Sequence, residues 1–551
     1  MDIRKIKLLD CTLRDGGFYN NWDFNLDFIK KYLNVICKSG VDIIEIGYRS
    51  LQSEEFYGLL KYSDDYHLSF LNDYNNVEFA LMVDLKEFLQ NKYFDETLFR
   101  KTFEKTKYSQ ISWVRVAILS SQAEYSNAAL DILKDLGYKT TINLMQMSLL
   151  SHQQIADVVR IYRPTTLDIF YFADSFGSMY PKNIKDYITL IRNNFEGEIG
   201  IHTHDNLSLA YANSIEAINC GVEYVDSTIL GMGRGAGNLK TENLLLELHL
   251  KTKDEKYNPN LFLDFIDNEL IPLKEKYNWG TNYNYVMAGL KNIHPMYCQK
   301  LEELGRYTSD TFIRILEKIP DENKSKFSIV ELEKAISKAH SVSIIENIRS
   351  DDILKLFKPA DRISNIIVMG TGPSTMKYSN YIQEYIDKNH QLVIECNINS
   401  GINYKTGFAT LIHEKHIQQM QSNAINKNII FGDYLCYKNY KYGINNYFFN
   451  YKLTKGNFEI TNDEISLPSD VVSMYALGLA LLFNPTSILL IGFDGYKSSL
   501  DISSNYIKQQ EMEEFFVFFD MKCKEHNVFY ASLTPTTYTI PQSSIFYWIK
   551  G

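Results

Sequence analysis

No stretch of this sequence is apolar over the ~20 residues that a membrane-crossing helix needs, and the longest apolar run, within 476–483, falls far short. The chain opens Met1-Asp2-Ile3-Arg4-Lys5 without an apolar leader core, so a cytoplasmic location is expected. Its seven cysteines include no Cys-x-x-Cys pair, and an odd scattered set reads as reduced thiols. Positive charge is not in surplus either. A formal net charge of −10 argues against nucleic acid as the main partner. It leaves room for an anionic small molecule, which answers to a local site and not to the total.

Hydrophobic residues make up 45% and charged residues 23%, the profile of a globular soluble protein. At roughly 150 residues per domain, 551 residues suggest two to four domains. Short strand-like runs recur at 6–11, 42–47, 78–84, 111–118, 139–145, 167–172, 198–204 and 223–229, with helix-patterned stretches between them. Eight strand–helix units predict parallel pairing and a closed TIM barrel, with an open doubly wound sheet as the alternative. Polar residues gather at the strands' carboxyl ends, the face where barrels carry their sites. These are Arg14 and Asp15, Glu45, Asp84, Arg115, Asn143 and Gln146, Asp174, His202 and His204, and Asp226. Residues 256–350 read as a helical extension after a barrel at 1–255. From 351 to 551 the strand–helix rhythm restarts as a Rossmann-like α/β domain, and a homodimer is a further expectation.

In Gly200-Ile201-His202-Thr203-His204-Asp205-Asn206 the two histidines alternate with one residue between them, so in a strand they face the same way and can grip one metal ion. Asp15 from the first strand's end completes a two-histidine, one-carboxylate set, and such a set leaves coordination positions open for a substrate. Mn²⁺ or Mg²⁺ suits the mixed ligands, with Zn²⁺, Co²⁺ or Fe²⁺ as alternatives. Asn238, at the end of the glycine-rich run 231–238, adds a ligand or orients that loop. Arg14 supplies a cation beside the ion, placed to stabilise an enolate oxygen.

The segments Leu9-Asp10-Cys11-Thr12-Leu13-Arg14-Asp15-Gly16-Gly17, Ala173-Asp174-Ser175-Phe176-Gly177-Ser178-Met179, 201–206 and 231–238 resemble the four signature segments of the DRE-TIM metallolyase (HMG-CoA-lyase-like) superfamily. Their likeness is to its 4-hydroxy-2-oxovalerate aldolase branch, over residues 5 to 300. The resemblance implies that Asp15, His202 and His204 bind a divalent metal and that Arg14 stabilises a pyruvate-type enolate. That branch carries a histidine acid/base shortly after Arg-Asp-Gly, where this chain has Phe18 and Tyr19. Tyr19, Tyr48 and His294 are the substitutes to weigh, His294 against a plain helix-capping role. Glu45, Arg49, Arg115, Asp174, Ser175 and Arg234 are substrate-binding candidates. Arg49 and Arg234 suggest a carboxylate- or phosphate-bearing substrate.

Further on, Ile366-Ile367-Val368-Met369-Gly370-Thr371-Gly372-Pro373-Ser374 runs from a strand into a glycine-rich turn that opens a helix, a place where amides can hold a phosphate. With Asn397 and Asn399 after the next strand, and Asp494 after Leu489-Leu490-Ile491-Gly492-Phe493, the region resembles bacterial sialyltransferase-like nucleotide-sugar-binding proteins. Gly370, Gly372, Pro373, Ser374, Asn397, Asn399 and Asp494 are then its nucleotide-binding candidates, for CMP or a nucleotide-sugar. The leading expectation is therefore a metal-dependent aldolase or lyase acting through a 2-oxo-acid enolate. Its substrate would be a small 2-oxo acid or a sugar, in surface-glycan precursor synthesis. An acyl-CoA Claisen condensation and a CMP-sugar-dependent glycosyltransferase in the C-terminal domain are its rivals.

Overall fold

The computed structural model describes residues 6–53, 55–90, 93–162, 166–340, 348–357, 364–389, 391–398, 401–416, 427–433, 445–496 and 503–550. They form two compact units, Met1–Gln299 with Lys324–Phe327, and Lys300–Asn323 with Ser328–Gly551. The helical stretch anticipated over 256–350 is thus shared between the two. Among the described residues no helix is long and apolar enough to cross a membrane.

In the first unit eight strands close a barrel: β1 Lys7–Asp10, β2 Ile43–Tyr48, β3 Glu78–Asp84, β4 Trp113–Ile118, β5 Lys139–Leu144, β6 Ile169–Asp174, β7 Glu198–Thr203 and β8 Tyr224–Ser227. Each pairs in parallel with its neighbours in chain order, and β8 closes on β1 through Leu9↔Asp226 and Asp10↔Ser227. Strands buried on both faces need apolar residues on both, and β4 (Trp-Val-Arg-Val-Ala-Ile) is buried throughout.

Because side chains alternate across a strand, one set of residues fills the lumen while the other meets the surrounding helices. Leu9, Cys11, Ile43, Ala80, Trp113, Ile169, Tyr171 and Tyr224 make the apolar plug of the lumen. Two residues beyond Trp113 on the same face comes Arg115, fully buried. The lumen therefore changes from apolar to charged along β4. That change sets the floor of the site.

In the second unit seven parallel strands lie in one sheet: β9 Asn365–Met369, β10 Leu392–Cys396, β11 Gly407–Leu411, β12 Ile429–Phe431, β13 Asn446–Phe448, β14 Ser487–Ile491 and β15 Phe529–Ser532. Their order is β13-β12-β11-β10-β9-β14-β15. The connection reverses direction between β9 and β14, a topological switch point. The strand–helix rhythm expected from 351 onward is thus present as a parallel sheet. The longest apolar run belongs to the helix Val472–Leu482, buried from Met474 to Leu481 on every side.

Candidate active site

Arg14 and Asp15 leave β1 on a single helical turn, Thr12–Gly16, in which the Asp15 amide donates to the Cys11 carbonyl at 2.9 Å. From the end of β7, His202 and His204 point the same way, with ring centroids 4.9 Å apart. One donor atom each from Asp15, His202 and His204 lie within 4.8 Å of one another, all buried. Asn238 joins them by donating from Nδ2 to Asp15 Oδ2 at 2.5 Å, while its Oδ1 is buried without a partner. Close approach of the loop after β8 requires glycine: a Cβ on Gly233 would sit 2.3 Å from Asn238 Nδ2.

A chain of ion pairs runs beneath this cluster. Arg14 NH1 meets Asp15 at 2.9 Å and Arg14 Nε meets Glu45 at 2.8 Å. Arg115 bridges Glu45 at 3.0 Å and Asp226 at 2.7 Å, with its guanidinium 4.3 Å above the Tyr171 ring. His202 then donates its Nδ1–H to Asp226 Oδ2 in a 3.0 Å hydrogen bond, because an ionised carboxylate only accepts. That bond fixes the tautomer and leaves the Nε2 lone pair of His202, buried and unpartnered, facing the Asp15 side at 3.6 Å.

Electrostatics favours an ionised Asp15 and a neutral His204, whereas at His202 the hydrogen bonds to Asp15 and Asp226 overcome burial and raise the imidazole. Burial alone would raise Asp15, but Arg14 and the two histidines outweigh it and hold its carboxyl well below the ordinary range. Desolvation, helped by His202, pushes His204 down to about 3, so this imidazole is neutral at pH 7. A neutral imidazole, an ionised carboxylate and two orphaned acceptor atoms, His202 Nε2 and Asn238 Oδ1, suit a divalent ion. The neighbouring set Cys11, His202 and Asp226 is less suited. Its carboxylate is already bound to Arg115 and His202, and burial drives the Cys11 thiol far up.

Comparison with known proteins bears on the same unit. A family profile described as HMGL-like matches residues 104–266. A 4-hydroxy-2-oxovalerate aldolase from Geobacillus genomosp. 3 is 28% identical over 248 residues, 45% of this chain and 72% of that one. An oxaloacetate decarboxylase from Mycobacterium tuberculosis is 24% identical over 243 residues, 44% of this chain and 69% of that one. The solved N-terminal domain of a candidate aldolase from Bacteroides vulgatus is 30% identical, with TM-score 0.48, over 56% of this chain and 99% of that domain. The likeness to the HMGL-like family thus lies in the barrel, over residues 104–266.

Within this barrel the remaining expected residues separate clearly. Glu45 and Arg115 lie in the charged floor, tied to other side chains. Asp174 accepts from the Ser178 and Met179 amides and is pushed up to about 7 by burial, and Ser175 accepts from the Gln146 amide. Both organise the loop after β6. Arg49 is bound to Asp65 at 2.9 Å and to the Ser63 carbonyl at 2.7 Å, and packs on Phe103. The structure does not bring it to the cluster. Tyr19 stacks on Tyr277 and donates weakly to the Gly235 carbonyl at 3.4 Å. His294 caps the helix Pro295–Leu304, its Nδ1 accepting from the Met296 amide at 3.3 Å, so Nε2 carries the proton. Desolvation, and then Arg234 and His204, hold it neutral. Asp226 appeared in the sequence only as a strand end, and nothing local marked it as the partner of His202.

Outside the barrel, the glycine-rich turn after β9 packs on its counterpart after β14. Gly372 N–H donates to the Gly492 carbonyl at 3.0 Å, and Ser374 N–H to Asp494 Oδ2 at 2.8 Å, with the Ser374 hydroxyl on the other carboxylate oxygen. The turn is thus occupied by the protein's own carboxylate. Asn397 keeps a buried, unpartnered Oδ1 with φ at +60°, and Pro373 is exposed. Asn399 lies outside the described residues.

Proposed function

We propose that the barrel is a divalent-metal-dependent aldolase or lyase that breaks or forms a C–C bond through the enolate of a 2-oxo acid. The convergence of Asp15, His202 and His204, with His202 Nε2 left unpartnered by the Asp226 bond, carries this reading. A divalent ion held there, with Asn238 beside it, supplies Lewis-acid polarisation of the substrate's 2-oxo group. In cleavage of a 4-hydroxy-2-oxo acid, the hydroxyl proton passes to water and the C3–C4 bond breaks. An aldehyde departs, and the bonding pair becomes an enolate that is protonated at C3. Condensation is the reverse.

Arg14 is pinned through Nε and NH1 by Glu45 and Asp15, which leaves NH2 to meet the oxygen on which enolate charge develops. A fixed cation there needs no reorganisation during the reaction. In the condensation direction His294 offers its Nε2–H, and Tyr19 its hydroxyl, to the oxygen of the incoming carbonyl. The chemistry of the named relatives, an aldolase and a decarboxylase of 2-oxo acids, supports the same class.

The test is pyruvate release from 4-hydroxy-2-oxopentanoate. Activity should disappear on chelation and return with Mn²⁺ or Mg²⁺, and Asp15→Asn should neither bind Mn²⁺ in calorimetry nor release pyruvate. Turnover that persists without metal would overturn the reading. Thiol release from acetyl-CoA with a 2-oxo acid would favour the Claisen alternative.

A second reading concerns the other unit, as a holder of a nucleotide or nucleotide-sugar, which would place the C–C chemistry in glycan-precursor synthesis. The switch point between β9 and β14 and the orphaned Oδ1 of Asn397 support it. The Asp494 carboxylate on the Ser374 amide puts phosphate contact at that amide in competition with the protein itself. CMP binding by the full chain, lost in Asn397→Ala, tests this reading.

A further inference from the structure

Of the three arginines in and beneath the mouth of the barrel, two are paired with acids and one is not. Arg14 and Arg115 share Asp15, Glu45 and Asp226. Arg234 makes no ion pair and no side-chain hydrogen bond among the described residues, and its Nε is buried without an acceptor. Its guanidinium lies 5.0 Å from the centre of the Phe18 ring. An arginine held over an aromatic face has its orientation fixed, with its N–H groups directed outward around the edge of the plane.

The loop that carries Arg234 is rigidly placed. Gly235 adopts φ +63°, and a Cβ there would lie 2.8 Å from the Tyr285 ring, while Gly237 N–H closes back on the Arg234 carbonyl at 3.2 Å. The nearest carboxylate influence is Asp15, which already serves Arg14 and Asn238. The other groups around Arg234 are Tyr48, Tyr19, Arg14, His204 and His294, and none brings a negative charge at neutral pH.

Charge balance then decides what is missing. Three arginines (Arg14, Arg115, Arg234) face three acids (Asp15, Glu45, Asp226), so the set is neutral before any ion arrives. Asp174 adds only a partial charge, being pushed up to about 7 and turned toward the Ser178 and Met179 amides. A divalent ion contributes two positive charges and a 2-oxo acid removes one. One positive charge is left over, and the unpaired cation is Arg234. Arg234 is half-buried in the open site, and a substrate closing over it without supplying an anion would leave a desolvated, unpartnered charge, which is strongly unfavourable.

We propose that Arg234 clamps a second anionic group of the substrate, a carboxylate or phosphate on the part beyond the bond that breaks, so that the enzyme acts on 2-oxo acids bearing two separate negative charges. This rests on the 2-oxo-acid reading above and adds its specificity. Arg234 selects the electrophilic half of the reaction, while the metal set and Arg14 hold the enolate half.

Calorimetry on the Mg²⁺-loaded full chain tests the clamp with two matched ligand pairs. 2-Oxoadipate is compared with 2-oxovalerate, and 2-keto-3-deoxy-6-phosphogluconate with 2-keto-3-deoxygluconate. In at least one pair the doubly charged ligand should bind roughly 10–100-fold tighter, as expected for a charge-assisted contact. The pair that shows the difference identifies carboxylate or phosphate. Arg234→Gln should erase the difference, and Arg234→Lys should keep part of it, which also shows that the loop still folds. Equal binding within both pairs, or a preference that survives Arg234→Gln, would overturn the clamp while leaving the lyase reading intact. If none of the four ligands binds, the 2-oxo-acid reading itself fails, and the clamp with it.

Discussion

At the carboxyl ends of the barrel strands, polar side chains are held tightly and yet left one partner short. His202, Asn238 and Arg234 each keep a buried atom with nothing to bond. At the carboxyl ends of β9 and β14 the same kind of glycine-rich turn closes on itself, with Asp494 filling the amide and hydroxyl of Ser374. Both regions are parallel α/β architecture with glycines at the strand ends. The difference lies in whether the surrounding side chains complete the pattern or stop before it is complete. Orphaned atoms over a rigid ion-pair floor mark a place built for something else to enter. A turn that carries its own anion can be explained by packing alone.

The contrast can be broken first at the barrel floor. If Asp226 aims His202, then Asp226→Asn should weaken Mn²⁺ binding roughly 10–100-fold, measured by calorimetry, with the barrel still folded by circular dichroism. Unchanged affinity would mean that the floor is scaffold only.

The second unit should instead respond through stability. His413 donates from Nε2 to the Asp470 carbonyl at 2.7 Å, and burial holds its pKa down at about 3 against an ordinary 6.5. Above pH 6.5 both folded and unfolded chains carry it neutral. Below that, the unfolded chain takes up a proton that the folded one refuses. Stability contributed by this group is therefore lost as the pH falls from 6.5 toward 3, by at most ~1.4 kcal/mol per pH unit. Urea unfolding followed by hydrogen exchange in this unit should show the slope, and His413→Gln should flatten it.

The smallest effect is expected at Asp494. Removing its carboxylate in Asp494→Ala takes a cap from the Ser374 amide and should destabilise the unit by about 1 kcal/mol, read from the same urea transitions. No change would mean that the Gly370–Gly492 backbone contacts hold the turn unaided.

Much of the barrel was legible because its cause is local. Alternating apolar runs with polar ends predict parallel strands, and His-x-His two residues apart can only share a face. The meeting of Asp15, His202 and His204 followed from placing strand ends on one rim. What could not be read were contacts made by closure. Arg115 and Asp226 meet across the lumen, 111 residues apart, and Ser374 meets Asp494 across 120. Neither pair has a spacing signal. The stacking of Arg234 on Phe18 is of the same kind: each residue stood out in the sequence, but their contact exists only once the loop after β8 folds over the turn after β1. In the second unit the glycines were visible but their reason was not. A Cβ on Gly372 would lie 2.5 Å from Asp494 Oδ1, so a packing demand produces the motif that a phosphate would also select.

The electrostatic strut that Arg115 forms through the lumen has a consequence for anyone redesigning this scaffold. Replacing Glu45, Arg115 and Asp226 together by well-fitted hydrophobes is the kind of change that leaves a protein as robust or hardens it. Here it would sever the link that tells the imidazole above which nitrogen to present. Thermal hardiness and chemical aim are thus wired through the same three side chains, and a variant selected only for heat resistance would drift toward a sturdier barrel that had lost its grip.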